Sequence, residues 1–120
     1  MLGKSKGKDT KALGELEHHI LLAILRLGGD AYTVPIVLEL EERTGRAVAP
    51  AAVYIALTRL EKKRFLESHW VDQTETGKPR RYFKLEPLAT ARLKASRRAF
   101  ARLWEGLEPQ LEMSEMLEES

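Results

Sequence analysis

The chain has 120 residues, enough for one domain and too few for a catalytic domain plus a regulatory one. Its 43% hydrophobic and 32% charged residues fit a soluble folded protein, and the absence of cysteine excludes a disulfide framework, a thiolate metal site and a cysteine nucleophile. The net charge of +2 hides an asymmetry: residues 105–120 carry six acids and no Lys or Arg, so the first 104 residues hold 20 basic and 12 acidic side chains, a net +8. A basic body with an acidic end suits a polyanionic partner. No apolar run approaches the roughly 20 residues of a membrane helix. The basic start, MLGKSKGKDTK, lacks the apolar stretch of a signal peptide. A cytoplasmic protein that neither spans nor binds a membrane is therefore expected.

Residues 1–12 read as a flexible basic arm. Leu13, Leu16, Ile20, Ile24 and Leu27 recur at helical spacing, and Leu21, Leu22 and Leu25 widen that face until the helix is apolar almost all round. Such a helix is expected to be buried on several sides. Gly28-Gly29-Asp30 ends it. Thr33 is the expected N-cap of a second helix, with Pro35 in its first turn, Val34, Val37, Leu38 and Leu40 facing the core, and Gly45 as the stop. Pro50 opens a third helix with Val53, Ala56, Leu57 and Leu60 inward. Ala51, Tyr54, Ile55, Thr58, Arg59 and Lys62 fall on or near the opposite side. Two helices joined by a tight turn have the helix-turn-helix arrangement.

The hydrophobic period then drops to two. Phe65 to Val71 and Arg80 to Leu85 read as paired strands around a polar turn with Gly77 and Pro79, which puts Lys78, Arg80 and Arg81 near the tip of a basic hairpin. A last helix starts around Pro87, with Ala89, Leu93, Ser96, Phe100, Leu103 and Leu107 as a heptad seam, and Pro109 ends it. The predicted fold is mainly α with a small β-hairpin. A winged helix-turn-helix domain over residues 13–86 precedes a dimerisation helix over 87–108 and a disordered acidic tail over 109–120.

Several stretches resemble the PadR family of bacterial transcriptional regulators. They are Leu13-Gly14-Glu15-Leu16-Glu17, Ala31-Tyr32, the Val53-Tyr54-Ile55-Ala56-Leu57-Thr58-Arg59-Leu60-Glu61 helix and the Gly77-Lys78-Pro79-Arg80-Arg81-Tyr82-Phe83 hairpin. The similarity spans about residues 13–108, and the single C-terminal helix points to the smaller subgroup. It implies a homodimeric winged-helix repressor whose C-terminal helices pair across a two-fold axis and which a small-molecule effector releases from its operator. It also implies that Tyr54, Arg80 and Arg81 lie near DNA phosphates. In three places the sequence departs from the family pattern. Ala49 replaces a capping Ser or Thr, Glu86-Pro87-Leu88 stands at the start of the last helix, and the front of the third helix has no Arg, Asn or Gln. Without those bidentate readers, thymine-methyl contacts, hydroxyl contacts and DNA shape remain for sequence readout.

The expected DNA-binding residues are thus Tyr54, Ile55, Thr58, Arg59, Lys78, Arg80 and Arg81. Leu93, Phe100, Leu103 and Leu107 form the expected dimer interface, and Trp104 is an expected effector contact. The expected partners are double-stranded operator DNA and a second copy of the chain, with a small-molecule effector as a further candidate. The competing reading is a winged-helix protein-interaction module without an operator. An enzyme is disfavoured, because no serine elbow or phosphate loop is present; His18 and His19 with Glu15 fall short of the three ligands a metal site needs, so no cofactor is expected.

Overall fold

The computed structural model describes residues 12–119, so the expected basic arm lies almost entirely outside the described residues. In chain order the elements are α1 (Glu15–Arg26), β1 (Asp30–Ala31), α2 (Thr33–Thr44), α3 (Pro50–Lys62), β2 (Leu66–Val71), β3 (Arg80–Leu85), α4 (Pro87–Trp104) and α5 (Glu108–Glu119). The fold is a winged helix. Helices α1, α2 and α3 close around Ile20, Leu21, Ile24, Ile36, Val53, Leu57 and Leu60, with Phe65 and Phe83 from the hairpin and Ala89 and Leu93 from α4 completing one core.

The sheet is three-stranded and antiparallel, in the order β1-β3-β2. Leu66 pairs with Leu85 and Val71 with Arg80 at the two ends of the hairpin ladder, while Asp30 and Ala31 pair with Lys84 and Phe83 on the other edge of β3. The strand β1 went unread in the sequence because two residues carry no alternation. It forms because Gly28 and Gly29, both at positive φ, turn the chain back after α1. The Gly29 carbonyl then accepts from the Leu85 N–H at 2.9 Å. Arg64, at φ 69, makes the turn from α3 into β2 in the left-handed conformation that glycine adopts more readily. The Phe65 N–H bonds back to the Leu60 carbonyl across it.

Four expectations need correction. Tyr32, not Thr33, is the N-cap of α2, and no side chain caps that helix. Within α2, Val34 and Leu38 are 58% and 60% exposed, and Ile36 takes the core position beside Val37 and Leu40. Helix α1 is buried on several sides as expected, but Leu22 and Leu25, expected to widen its buried face, are exposed within one chain. Finally, a helix stands where a disordered acidic tail was expected. Gly106, at φ 79, breaks the chain after Trp104, and Pro109 then falls in the first turn of α5, where the missing N–H costs nothing. Glu108 also sits favourably in that first turn, at the positive end of the helix dipole.

Candidate nucleic-acid interface

Helix α3 begins at Pro50 with Ala49 as a bare N-cap. Its buried stripe, Val53, Ala56, Leu57 and Leu60, turns the opposite side outward. There Ile55 is 52% exposed, Tyr54 and Arg59 are exposed, and Thr58 is half-buried. The Thr58 hydroxyl donates to the Ile55 carbonyl at 2.7 Å, which leaves its oxygen free to accept. The face is short of base-reading donors but open to a groove.

The hairpin stands beside this helix. Lys78 is exposed at the tip, in a turn where the Thr74 hydroxyl donates to the Lys78 carbonyl at 2.6 Å and Gly77 adopts φ 78. Successive residues of β3 point to opposite faces of the sheet. Arg80 lies on the outer face, where its guanidinium sits 4.6 Å over the Tyr32 ring. Tyr32 packs in turn on Tyr82 at 5.1 Å, and Tyr82 stacks on His69 at 5.6 Å. His69 Nε2 closes the row on Asp30 at 2.8 Å.

Arg81 points the other way, toward α3. Its Nη1 donates to the Tyr54 hydroxyl oxygen and its Nη2 to Glu61, both at 2.7 Å. Glu61 also accepts from the Ser68 hydroxyl at 2.6 Å and from the Ser68 N–H at 3.2 Å. The Ser68 bonds are the main reason the Glu61 carboxyl titrates below its ordinary value; partial burial opposes them, and the Arg81 charge adds to them. By sequence Arg81 groups with Lys78 and Arg80 at the wing tip, and its anchor Glu61 is not legible there, although Tyr54 and Glu61 are two helical turns apart and share a stripe. Nor is Tyr32, the platform under Arg80, or Trp70, 64% exposed and paired with Arg81 in the ladder.

Behind the interface, Lys63 is engaged at the foot of α1. Its Nζ lies 2.8 Å from Glu17 Oε1 and donates to the Ala12 carbonyl at 2.8 Å. Burial tends to raise the Glu17 carboxyl, but the Lys63 bond and the Gly14 N–H outweigh it and hold the group below its ordinary value.

The expected dimer residues divide along α4. Leu93 is buried in the chain's own core and Phe100 and Leu103 are exposed, whereas Leu107, also exposed, falls beyond the end of α4 at Trp104, so the expected seam does not reach it on one helix. Phe100 and Leu103, with Leu22, Leu25 and His18 of α1, line an open groove of about 950 Å³. Trp104 meets Phe100 edge-on, with centroids 6.1 Å apart, outside the groove lining. No helix among the described residues is long and apolar enough to cross a membrane.

Comparison with known proteins bears on this geometry directly. The chain is similar to a PadR-like transcription factor from Bacteroides fragilis, 30% identical over 87% of this chain and 95% of that one, with a TM-score of 0.66. It is similar to a PadR family transcription regulator from hypervirulent Clostridium difficile R20291, 20% identical over 82% of this chain and 99% of that one, with a TM-score of 0.69. It also has the fold of F93 from STIV, a winged-helix DNA-binding protein, at 12% identity over 74% of this chain and 90% of that one, TM-score 0.59. No curated protein matches. The model of the transcriptional regulator PadR-like family matches residues 21–95, from the middle of α1 into α4, and the chain belongs to that family.

Proposed function

We propose that this regulator is a homodimeric repressor that binds operator DNA sequence-specifically and is released by a small-molecule effector. The observation that carries the DNA reading is the outward face of α3, with Tyr54, Ile55, Thr58 and Arg59, standing against a hairpin that ends in Lys78 and Arg80. In this reading α3 enters the major groove, where Ile55 meets thymine methyls and the Thr58 oxygen accepts from a base edge. Lys78, Arg80 and Arg59 neutralise phosphates, which positions the protein without selecting sequence.

The open end of α4 supports pairing. Phe100 and Leu103 continue the apolar surface of Leu22 and Leu25, a patch that soluble monomers rarely leave bare, and Leu107 stands exposed beyond the helix end. Two-fold pairing buries it and presents two α3 helices to successive major grooves about 34 Å apart. An effector with an aromatic ring would enter the groove and stack on Phe100, which Trp104 meets edge-on from outside the groove lining, displacing part of that contact.

The decisive experiment is selection of bound genomic fragments followed by binding at several salt concentrations. One recovered operator, bound with log K falling steeply against log salt, is expected. If every fragment binds alike or none binds, the operator model is wrong.

A further inference from the structure

We infer that Arg81 is a positioning residue, which locks the wing to the recognition helix and acts on DNA only through the Tyr54 hydroxyl. The inference rests on the DNA-binding reading above and assigns Arg81 a different part in it from the phosphate contact that the family resemblance implies.

Arg81 is the one cation of the hairpin turned inward. Its side chain is 24% exposed, and its planar fork joins three elements: Nη1 reaches Tyr54 near the start of α3, Nη2 reaches Glu61 at its end, and Glu61 holds Ser68 of β2. The guanidinium also lies 5.1 Å from the centre of the Phe83 ring, in the core. Its Nε is buried without a hydrogen-bond partner. A phosphate approaching from solvent would have to displace Glu61 or Tyr54, breaking a charge-assisted bond about twice as strong as a neutral one.

Tyr54 gains from this arrangement. Arg81 donates to the phenol oxygen, so the hydroxyl proton is left to donate outward. A cation on the oxygen polarises that O–H and strengthens its bond to an anionic acceptor. The ring is held edge-on to Phe83 at 6.2 Å and remains 39% exposed. The protein therefore presents a phosphate with an oriented phenol in place of a free guanidinium.

Four variants of the full chain test this: Arg81→Gln, Arg80→Gln, Tyr54→Phe and the Arg81→Gln/Tyr54→Phe double variant. Each is measured for DNA affinity against salt, and the DNA-free proteins for hydrogen exchange in β2 and β3. Arg80→Gln should flatten the salt slope by up to about 1.8 per dimer, two charges at about 0.9 each. Arg81→Gln should weaken binding with the slope unchanged, and should speed wing exchange about tenfold in the free protein, as expected for losing roughly one hydrogen-bonded clamp. In the Tyr54→Phe background, Arg81→Gln should cost little further affinity.

A slope flattened as much by Arg81→Gln as by Arg80→Gln, or unaltered wing exchange, overturns the inference. If Arg81→Gln does not fold, Arg81→Lys replaces it. That variant keeps the charge but not the fork, so faster wing exchange is still expected and its absence is still fatal. Should the wild type bind no DNA, the DNA reading fails on its own, while the exchange measurement continues to decide whether Arg81 clamps the wing.

Discussion

From Leu16 to Leu93, most large apolar side chains converge on one core, and those that stay exposed are scattered or lie along the outer side of α1. From Phe100 to Leu117 every large apolar side chain is exposed: Phe100, Leu103, Trp104, Leu107, Leu111, Met113, Met116 and Leu117. Both stretches have helical patterning of similar quality, so the difference is not one of local propensity. The end of α4 and the whole of α5 lie beyond the closed core, and of their large apolar side chains only Phe100 and Leu103 share even an open groove with the body. The winged-helix body meets its hydrophobic requirement within one chain, and the C-terminal arm does not. Substitutions in the body should thus be felt as folding, and substitutions in the arm as association.

The sharpest way to break that comparison is a pair of variants. Phe83→Ala removes a fully buried ring from the body and should lower the unfolding free energy by about 3–5 kcal/mol, read by denaturant titration. Leu103→Asp should leave the body folded, convert dimer to monomer by light scattering, and reduce operator affinity far beyond twofold. A dimeric, fully active Leu103→Asp protein, or a wild type that is monomeric at micromolar concentration, would undo the assignment of the arm.

Acid gives a smaller effect that sharpens the boundary between the two regions. His18 lies on the α1 side of the groove, and burial first, then the neighbouring His19, hold its pKa below the ordinary value. The unfolded chain therefore takes up this proton more readily than the folded one. Stability is complete above about pH 6.5, the ordinary histidine value, and declines as pH falls below it. Glu17 and Glu61, also depressed, lose their contributions in the same direction, but only in the carboxylate range further down. Denaturant titrations across pH should show two separate declines, and His18→Gln should abolish the upper one alone. An upper decline of unchanged size in that variant would move its origin elsewhere.

The smallest expected effect lies inside the body. Arg64 occupies a left-handed position at a cost of about 1 kcal/mol, and Arg64→Gly should recover much of it. Thermal unfolding would show a rise of a few degrees in Tm. A fall would mean that the arginine side chain contributes more than the backbone strain costs.

Much of the body was legible in the sequence because its signals are local. The stripe of Val53, Ala56, Leu57 and Leu60 marked both faces of α3, and the change of period at Phe65 located the hairpin within a residue of its ends. What stayed hidden depends on partners distant in sequence. Whether Val34 or Ile36 turns inward in α2 is decided by how that helix docks on α1, and the Thr-Val-Pro-Ile start is apolar on both sides. Glu61 and Arg81 are 20 residues apart, and nothing local distinguishes an inward arginine from the outward one before it except strand parity counted from Phe83. The acidic tail misleads for another reason. Glu-rich composition suggests solvation, but Glu, Gln, Leu and Met are also strong helix formers.

The continuity of α4 has a mechanical meaning. It is one 18-residue helix without a break, its first half seated in the body through Ala89 and Leu93 and its second half projecting beyond it. Among the described residues the sharp joint beyond that seat, at Gly106, comes after Phe100 and Leu103, which would meet a second copy. The helix is thus a stiff lever about 27 Å long with its fulcrum in the hydrophobic core. A turn of about 5° about that fulcrum moves the far end by about 2 Å. In the proposed dimer, a small molecule wedged between two such levers would re-aim both α3 helices as rigid bodies without melting either.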